Sequence, residues 1–139
     1  MRILAIDVGE KRIGFAISDS SLSVALGLYT YERKGEKEDL EEIEKIVKEY
    51  GVFEIVVGIP KDMKGRISQK GKDIEVFAKK IEEKCKAPIV FWDERFTTNE
   101  AHRVMDLKGI NHRKRKRYID TIAAQIILQG YLDARIQRH

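Results

Sequence analysis

Three carboxylates stand where chemistry is possible: Asp7 at the end of an apolar run, Glu94 within Asp93-Glu94-Arg95, and Asp120 between a basic run and an otherwise apolar stretch. Crowded carboxylates repel one another, so a cluster of them requires a proton or a cation to hold it. Hard cations with oxygen ligands suit such a set. Two Mg²⁺ or Mn²⁺ ions on the order of 4 Å apart would activate a water and stabilise the leaving oxygen in an in-line attack on a phosphodiester. Taken alone, Asp7 is read more simply as a carboxylate that ends a strand in a turn with Gly9, so the chemical reading depends on whether the fold brings the three acids together.

The hydrophobic pattern says which elements would carry them. Ile3 to Val8, Ile13 to Ser18 and Val24 to Tyr31 are short apolar runs separated by Gly9 and by Ser20-Ser21, as in an antiparallel meander. Leu40, Ile43, Ile46 and Val47 then recur at helical spacing within 37–50, and Phe53 to Val57 is a buried strand ended by Gly58-Ile59-Pro60. A second helix is expected from Ser68 to about Lys84, with Ile74, Phe77, Ala78 and Ile81 inward, and a fifth strand at Pro88 to Trp92. Thr97-Thr98-Asn99-Glu100 has the form of a capping box for a third helix through Met105, and a last helix is expected over about Tyr118 to Ile136, with Asp120 at its start. The order β-β-β-α-β-α-β-α-α predicts an α/β fold whose five-stranded mixed sheet is flanked by helices. Its first, fourth and fifth strands would end on one rim, where open α/β sheets bind ligands. Asp7, Glu94 and Asp120 could share a pocket there.

Composition narrows the class. A chain of 139 residues suits one domain with one substantial core. Twenty-seven Lys and Arg against 23 Asp and Glu give a net charge of +4, which permits nucleic acid as a partner without requiring it. The charge is segregated: 36–50 is strongly acidic, whereas Lys108 to Arg117 holds no acid. The run Arg113-Lys114-Arg115-Lys116-Arg117 ends three residues before Asp120 and reads as a phosphate-binding segment at the mouth of the site. Arg12 and Arg95 could grip phosphate oxygens or pair with the carboxylates; both uses suit a guanidinium. The single Cys85 excludes an internal disulfide, and no apolar stretch suggests a membrane span or a secretion signal, so a cytoplasmic location is expected. Asp19 is read as a strand end, Thr97 and Thr98 as caps, His102 as an ordinary helical residue, and Phe91 as core. The expected loose segments are Lys61 to Arg66 and Lys108 to His112.

Four segments in order, Asp7-Val-Gly-x-x-Arg12-x-Gly14-x-Ala-x-Ser-Asp19, Val56-Val-Gly58-Ile-Pro60, Asp93-Glu94-Arg95-x-Thr97-Thr98-x-x-Ala101 and Asp120-x-x-Ala123-Ala124-x-x-Ile127-Leu128-Gln129-x-Tyr131-Leu132, closely resemble the YqgF family over nearly the whole chain. The resemblance implies a single RNase H-like nuclease domain spanning 1–139. It also implies a hydrolase of the bacterial cytoplasm that processes the 5′ end of pre-16S ribosomal RNA, with Asp7, Glu94 and Asp120 as its metal-binding catalytic acids. Members are also described as Holliday-junction-resolvase-like, so branched DNA stands as an alternative substrate, and the ribosomal small subunit as a possible partner. Lys61-Asp62-Met63-Lys64-Gly65 departs from the Asn and Asp that many relatives carry. Two other readings compete. The opening motif also resembles the first phosphate loop of actin-like ATPases and sugar kinases, but the chain is too short for the two domains that those proteins close on nucleotide. A nucleic-acid-binding module without catalysis is the other; the retained acids oppose it.

Overall fold

The computed structural model describes residues 1–61, 64–93, 106, 109 and 112–137, without the side chains of 112–118 and 137. Five strands, β1 (Arg2–Val8), β2 (Arg12–Ser18), β3 (Ala25–Glu32), β4 (Val52–Ile59) and β5 (Ile89–Asp93), form one sheet in the order β3-β2-β1-β4-β5. β1 to β3 are antiparallel neighbours, and β4 and β5 run parallel to β1. This is the mixed sheet that the sequence pattern predicts. The parallel strands are buried on both faces, which is why Ile55, Val56 and Val57 follow one another without a polar residue.

The two faces carry separate cores. Leu4, Ile6, Phe15, Ile55 and Val57 face α1 (Glu36–Tyr50) and α2 (Gln69–Cys85), which supply Ile43, Ile46, Ile74, Phe77 and Ile81. Ile3, Ala5, Ala16 and Val56 face α3 (His112–Gln137), which supplies Ala124, Ile127, Leu128 and Leu132. The small residues on that face let α3 lie close to the sheet. Its glutamines tie it to the start of β3: the Gln129 Oε1 accepts from the Ala25 N–H at 2.9 Å, and the Gln125 amide donates to the Ala25 carbonyl at 3.0 Å.

Three expectations are corrected. The last helix starts at His112 rather than near Tyr118, so the basic run forms its first turns and Asp120 lies in the third. Arg and Lys are good helix formers, and nothing in the run breaks the helical pattern. β4 continues through Gly58 and Ile59, because Gly58 pairs with Trp92 and Ile59 with Asp93. Phe91 is 42% exposed, since β5 is an edge strand and its outer residues find little cover. The expected helix at 97–105 lies outside the described residues, as does His102; of the Lys61 to Arg66 segment, Lys61 makes a bridge with Ile67.

One polar chain supports the turn that follows Asp7. Asp39, 1% exposed, accepts from the Arg33 Nε at 2.9 Å and from the Lys34 N–H at 3.1 Å, and the Arg33 Nη1 donates to the Gly9 carbonyl at 2.9 Å. Removing Asp39 leaves a guanidinium without its charge partner beside a hydrophobic core, and breaking a buried pair in this way costs about 3–5 kcal/mol. Asp39→Ala is therefore expected to lower the unfolding free energy by about 3 kcal/mol in a denaturant titration; a loss under about 0.5 kcal/mol would show that the pair does not hold the turn.

Candidate active site

Asp7 is the penultimate residue of β1. Alternation puts Ile3 and Ala5 on the α3 face and Leu4, Ile6 and Val8 on the other, so Asp7 belongs to the α3 face. Across the antiparallel ladder it pairs with Gly14. A Cβ on Gly14 would stand 2.0 Å from the Asp120 carbonyl oxygen and 2.9 Å from the Asp120 Cβ. No residue but glycine allows this approach, and through it α3 rests on β2 beside Asp7. Directly opposed residues of such a pair have side-chain origins about 5 Å apart. Asp7 and Asp120, distant in sequence by more than a hundred residues, thus lie on either side of Gly14.

Asp120 is 21% exposed along its side chain, and its Oδ2 accepts from the Arg12 Nε at 3.4 Å. Burial pushes its carboxyl above the usual carboxylate range; the Arg12 guanidinium, which also donates to it, and more weakly the Lys70 ammonium, pull the other way. The upward push wins. A carboxylate with this much solvent removed and this little compensation favours an added cation. Oxygen donors alone form the pair, which fits Mg²⁺ or Mn²⁺ better than a soft metal. Among the described residues no three acidic, His or Cys side chains converge on one point, and Glu94, the third expected acid, lies outside them.

The remaining expected site residues divide by position. The strand registers bring Asp7 level with Gly58 and Trp92, one step beyond the Ile6–Val57 pair, and Asp93 ends β5 on the same rim. Glu94 and Arg95 follow Asp93 in sequence and lie outside the described residues. Arg113, Lys114, Arg115, Lys116 and Arg117 occupy the first two turns of α3, and Arg117 precedes Asp120 by about 4.5 Å of helix rise. Asp19 does not join the site: it organises the β2–β3 turn by accepting from the Ser21 hydroxyl at 2.6 Å and from the Ser23 and Val24 N–H groups at 2.8 and 3.1 Å. The Ser21 bond, then the two backbone donors, hold its carboxyl below the usual range.

Two contributors were not singled out from the sequence. Arg33 was not distinguished from other surface cations, although Asp39 sits four residues before Ile43 on the apolar face of α1, a helical spacing that marks a buried acid and calls for a partner. Lys70, whose charge reaches Asp120 from the first turn of α2, had no sequence signal at all.

The sheet order and its helices define an RNase H-like fold of the RuvC kind, and the family and relatives that this chain matches make it a nuclease. The chain belongs to the RuvX family, described as Holliday junction resolvase, which it matches over residues 1–134; the resemblance to YqgF is thereby borne out. It is 48% identical over 136 residues to the "Putative pre-16S rRNA nuclease" of Caldanaerobacter subterraneus subsp. tengcongensis, with 96% of this chain and 97% of the relative covered. The protein of the same name from Clostridium novyi is 45% identical, with 96% and 99% covered. In fold, the chain is similar to the RuvC of T. thermophilus solved in complex with a Holliday junction substrate, at a TM-score of 0.63 and 12% identity, with 99% of this chain and 96% of that one covered. The fowlpox virus Holliday junction resolvase gives a TM-score of 0.58 at 15% identity, with 96% and 99% covered.

The burial of Asp120 has a consequence for stability. Because its folded-state pKa is raised, the folded protein binds more protons than the unfolded chain in the window that starts at the ordinary carboxylate range and extends upward. Stability falls as pH rises through that window, and at neutral pH the ionised group is a net burden. Asp120→Asn is expected to melt at a higher temperature than the wild type at pH 7, with the gain shrinking as pH is lowered below the carboxylate range. Parallel melting curves at every pH would contradict this.

Proposed function

We propose that this protein hydrolyses phosphodiesters in structured RNA with the help of divalent metal ions held by Asp7, Glu94 and Asp120, and that its substrate is the 5′ region of pre-16S ribosomal RNA. The observation that carries the reading is the seating of α3 on Gly14, which sets Asp120 beside Asp7 at the rim of the sheet. The close relatives named for pre-16S ribosomal RNA support the choice of substrate. Mg²⁺ or Mn²⁺, two ions at full occupancy, would supply Lewis acidity for the attacking water and charge stabilisation for the leaving oxygen.

The protein's own residues do the rest. Asp7 and Asp120 would hold the cations, and their fixed places on the sheet would set where the reacting phosphate lies. The rigid β1–β2 pair beneath Asp7 keeps that position from drifting. Arg12, paired with Asp120 here, is long enough to turn its outer nitrogens to a phosphate oxygen while its stem stays in place. Arg95 and the cations from Arg113 to Arg117 hold flanking phosphates, which orients the strand without reading its bases. The whole chain acts as one nuclease domain in the cytoplasm and meets its substrate on the assembling ribosomal small subunit. No helix among the described residues is long and apolar enough to cross a membrane.

The test compares cleavage of a labelled pre-rRNA leader, a four-way DNA junction and plain single strands by wild type and Asp7→Asn, in Mg²⁺, Mn²⁺ or EDTA. Metal-dependent cutting of the leader is expected, reduced by about 10²-fold or more in Asp7→Asn, since the interaction removed is worth several kcal/mol in the transition state. Preferential cutting of the junction would reassign the substrate. An inert wild type that still binds RNA would leave a binding module.

A further inference from the structure

On the sheet face opposite Asp120, a cavity of about 550 Å³ opens where β1 ends. Its size falls within the ~300–1,000 Å³ of sites that hold small ligands. Val8 and Gly9 form one wall, so the cavity begins at the residue after Asp7, about 3.8 Å along the chain. Ile74 and Phe77 form an apolar floor, and Val76 stands at the mouth, 59% exposed. Three cations line it. Arg33 is committed to Asp39 and to the Gly9 carbonyl, with its guanidinium 4.9 Å from the Phe77 ring centroid, and Lys80 is paired with Glu36 at 2.9 Å. Lys70 makes no hydrogen bond or ion pair with the described residues. It stands between the cavity and the acidic site, and its charge acts on Asp120. Glu10 and Asp73 add carboxylates to the lining; Asp73 already accepts from the Gln69 amide at 3.1 Å, and either can accept from a sugar hydroxyl or a base amino group.

An apolar floor, acceptor groups and one cation without a hydrogen-bonded partner among the described residues, whose charge also reaches Asp120, match the parts of a nucleotide: base, sugar and phosphate. We propose that this cavity is a nucleotide subsite that receives the residue next to the scissile phosphate, its base against Phe77 and Val76 and its linking phosphate on Lys70. The inference rests on the nuclease reading above and extends it: the strand crosses the Gly9 turn from one face of the sheet to the other.

Binding of a fluorescent single-stranded pre-rRNA leader is measured by anisotropy in EDTA for wild type, Lys70→Gln and Val76→Trp. Both positions are exposed on α2, and unchanged melting temperatures check that the variants fold. Lys70→Gln is expected to weaken binding several-fold and to lower the slope of log affinity against log salt by about 0.7, the loss of one phosphate contact on a single strand. Val76→Trp, which fills the mouth, is expected to weaken binding by about tenfold, the order of one base stack, with the slope unchanged. Wild-type binding in both variants overturns the subsite. A nucleoside monophosphate, titrated separately, should displace the leader weakly; saturable binding that leaves leader affinity untouched would give the cavity to a free nucleotide and overturn the strand path. An uncut leader with these binding differences intact would count against the nuclease reading alone, whereas a cut leader with none of them counts against the subsite alone. A wild type that does not bind the leader contradicts both.

Discussion

The missing side chain at residue 14 governs this molecule. With even one Cβ there, the backbone of α3 would be pushed off β2 by more than an ångström, because the Asp120 carbonyl already occupies the space. Gly14 is also the ladder partner of Asp7. The same contact therefore closes one hydrophobic core and sets Asp7 and Asp120, from opposite ends of the chain, on either side of one glycine. The packing of α3 and the placing of the two proposed ligands rest on this single approach.

That economy has an energetic cost, borne at the site. Asp120 is drawn far enough from water to raise its pKa, and Arg12 offsets the penalty only in part. A protein selected for stability alone would place an apolar residue there, as it does at Ile122, Ala123 and Ala124 one turn further along the helix. The opposite face of the sheet behaves differently. There the buried Asp39 is matched by Arg33, and the pair is used to brace the turn after Asp7 rather than to leave charge uncompensated. The buried Asp39 is satisfied by the fold; the half-buried Asp120 keeps a raised pKa even beside Arg12.

Much of this was readable from the chain. The strand order, the two inward stripes of α1 and α2 and the role of Asp7 as a rim residue follow from periodicity and from turn residues at Gly9 and Pro60, which local sequence encodes strongly. The start of the last helix was not, because a run of Arg and Lys is equally compatible with a solvated loop and with a helix. Phe91 misled for a related reason: an aromatic in an apolar strand is ordinarily core, and only the sheet order reveals β5 as an edge. Topology and family resemblance raise the expectation that Asp7 meets Asp120, but what sets them on either side of Gly14, a helix seated on a glycine, is a three-dimensional fact with no local signature. Lys70 is the extreme case, a surface lysine until the fold sets it between a cavity and an acid.

The central claim is that Asp7 and Asp120 together form a seat for hard cations. The most direct test is anomalous diffraction from crystals of the wild type soaked in Mn²⁺. The account predicts an anomalous peak within coordination distance, about 2.0–2.3 Å, of a carboxylate oxygen of each residue, with Arg12 displaced from Asp120. A metal-saturated crystal with no peak there, or with Mn²⁺ bound only elsewhere while Arg12 keeps its pairing, would contradict it.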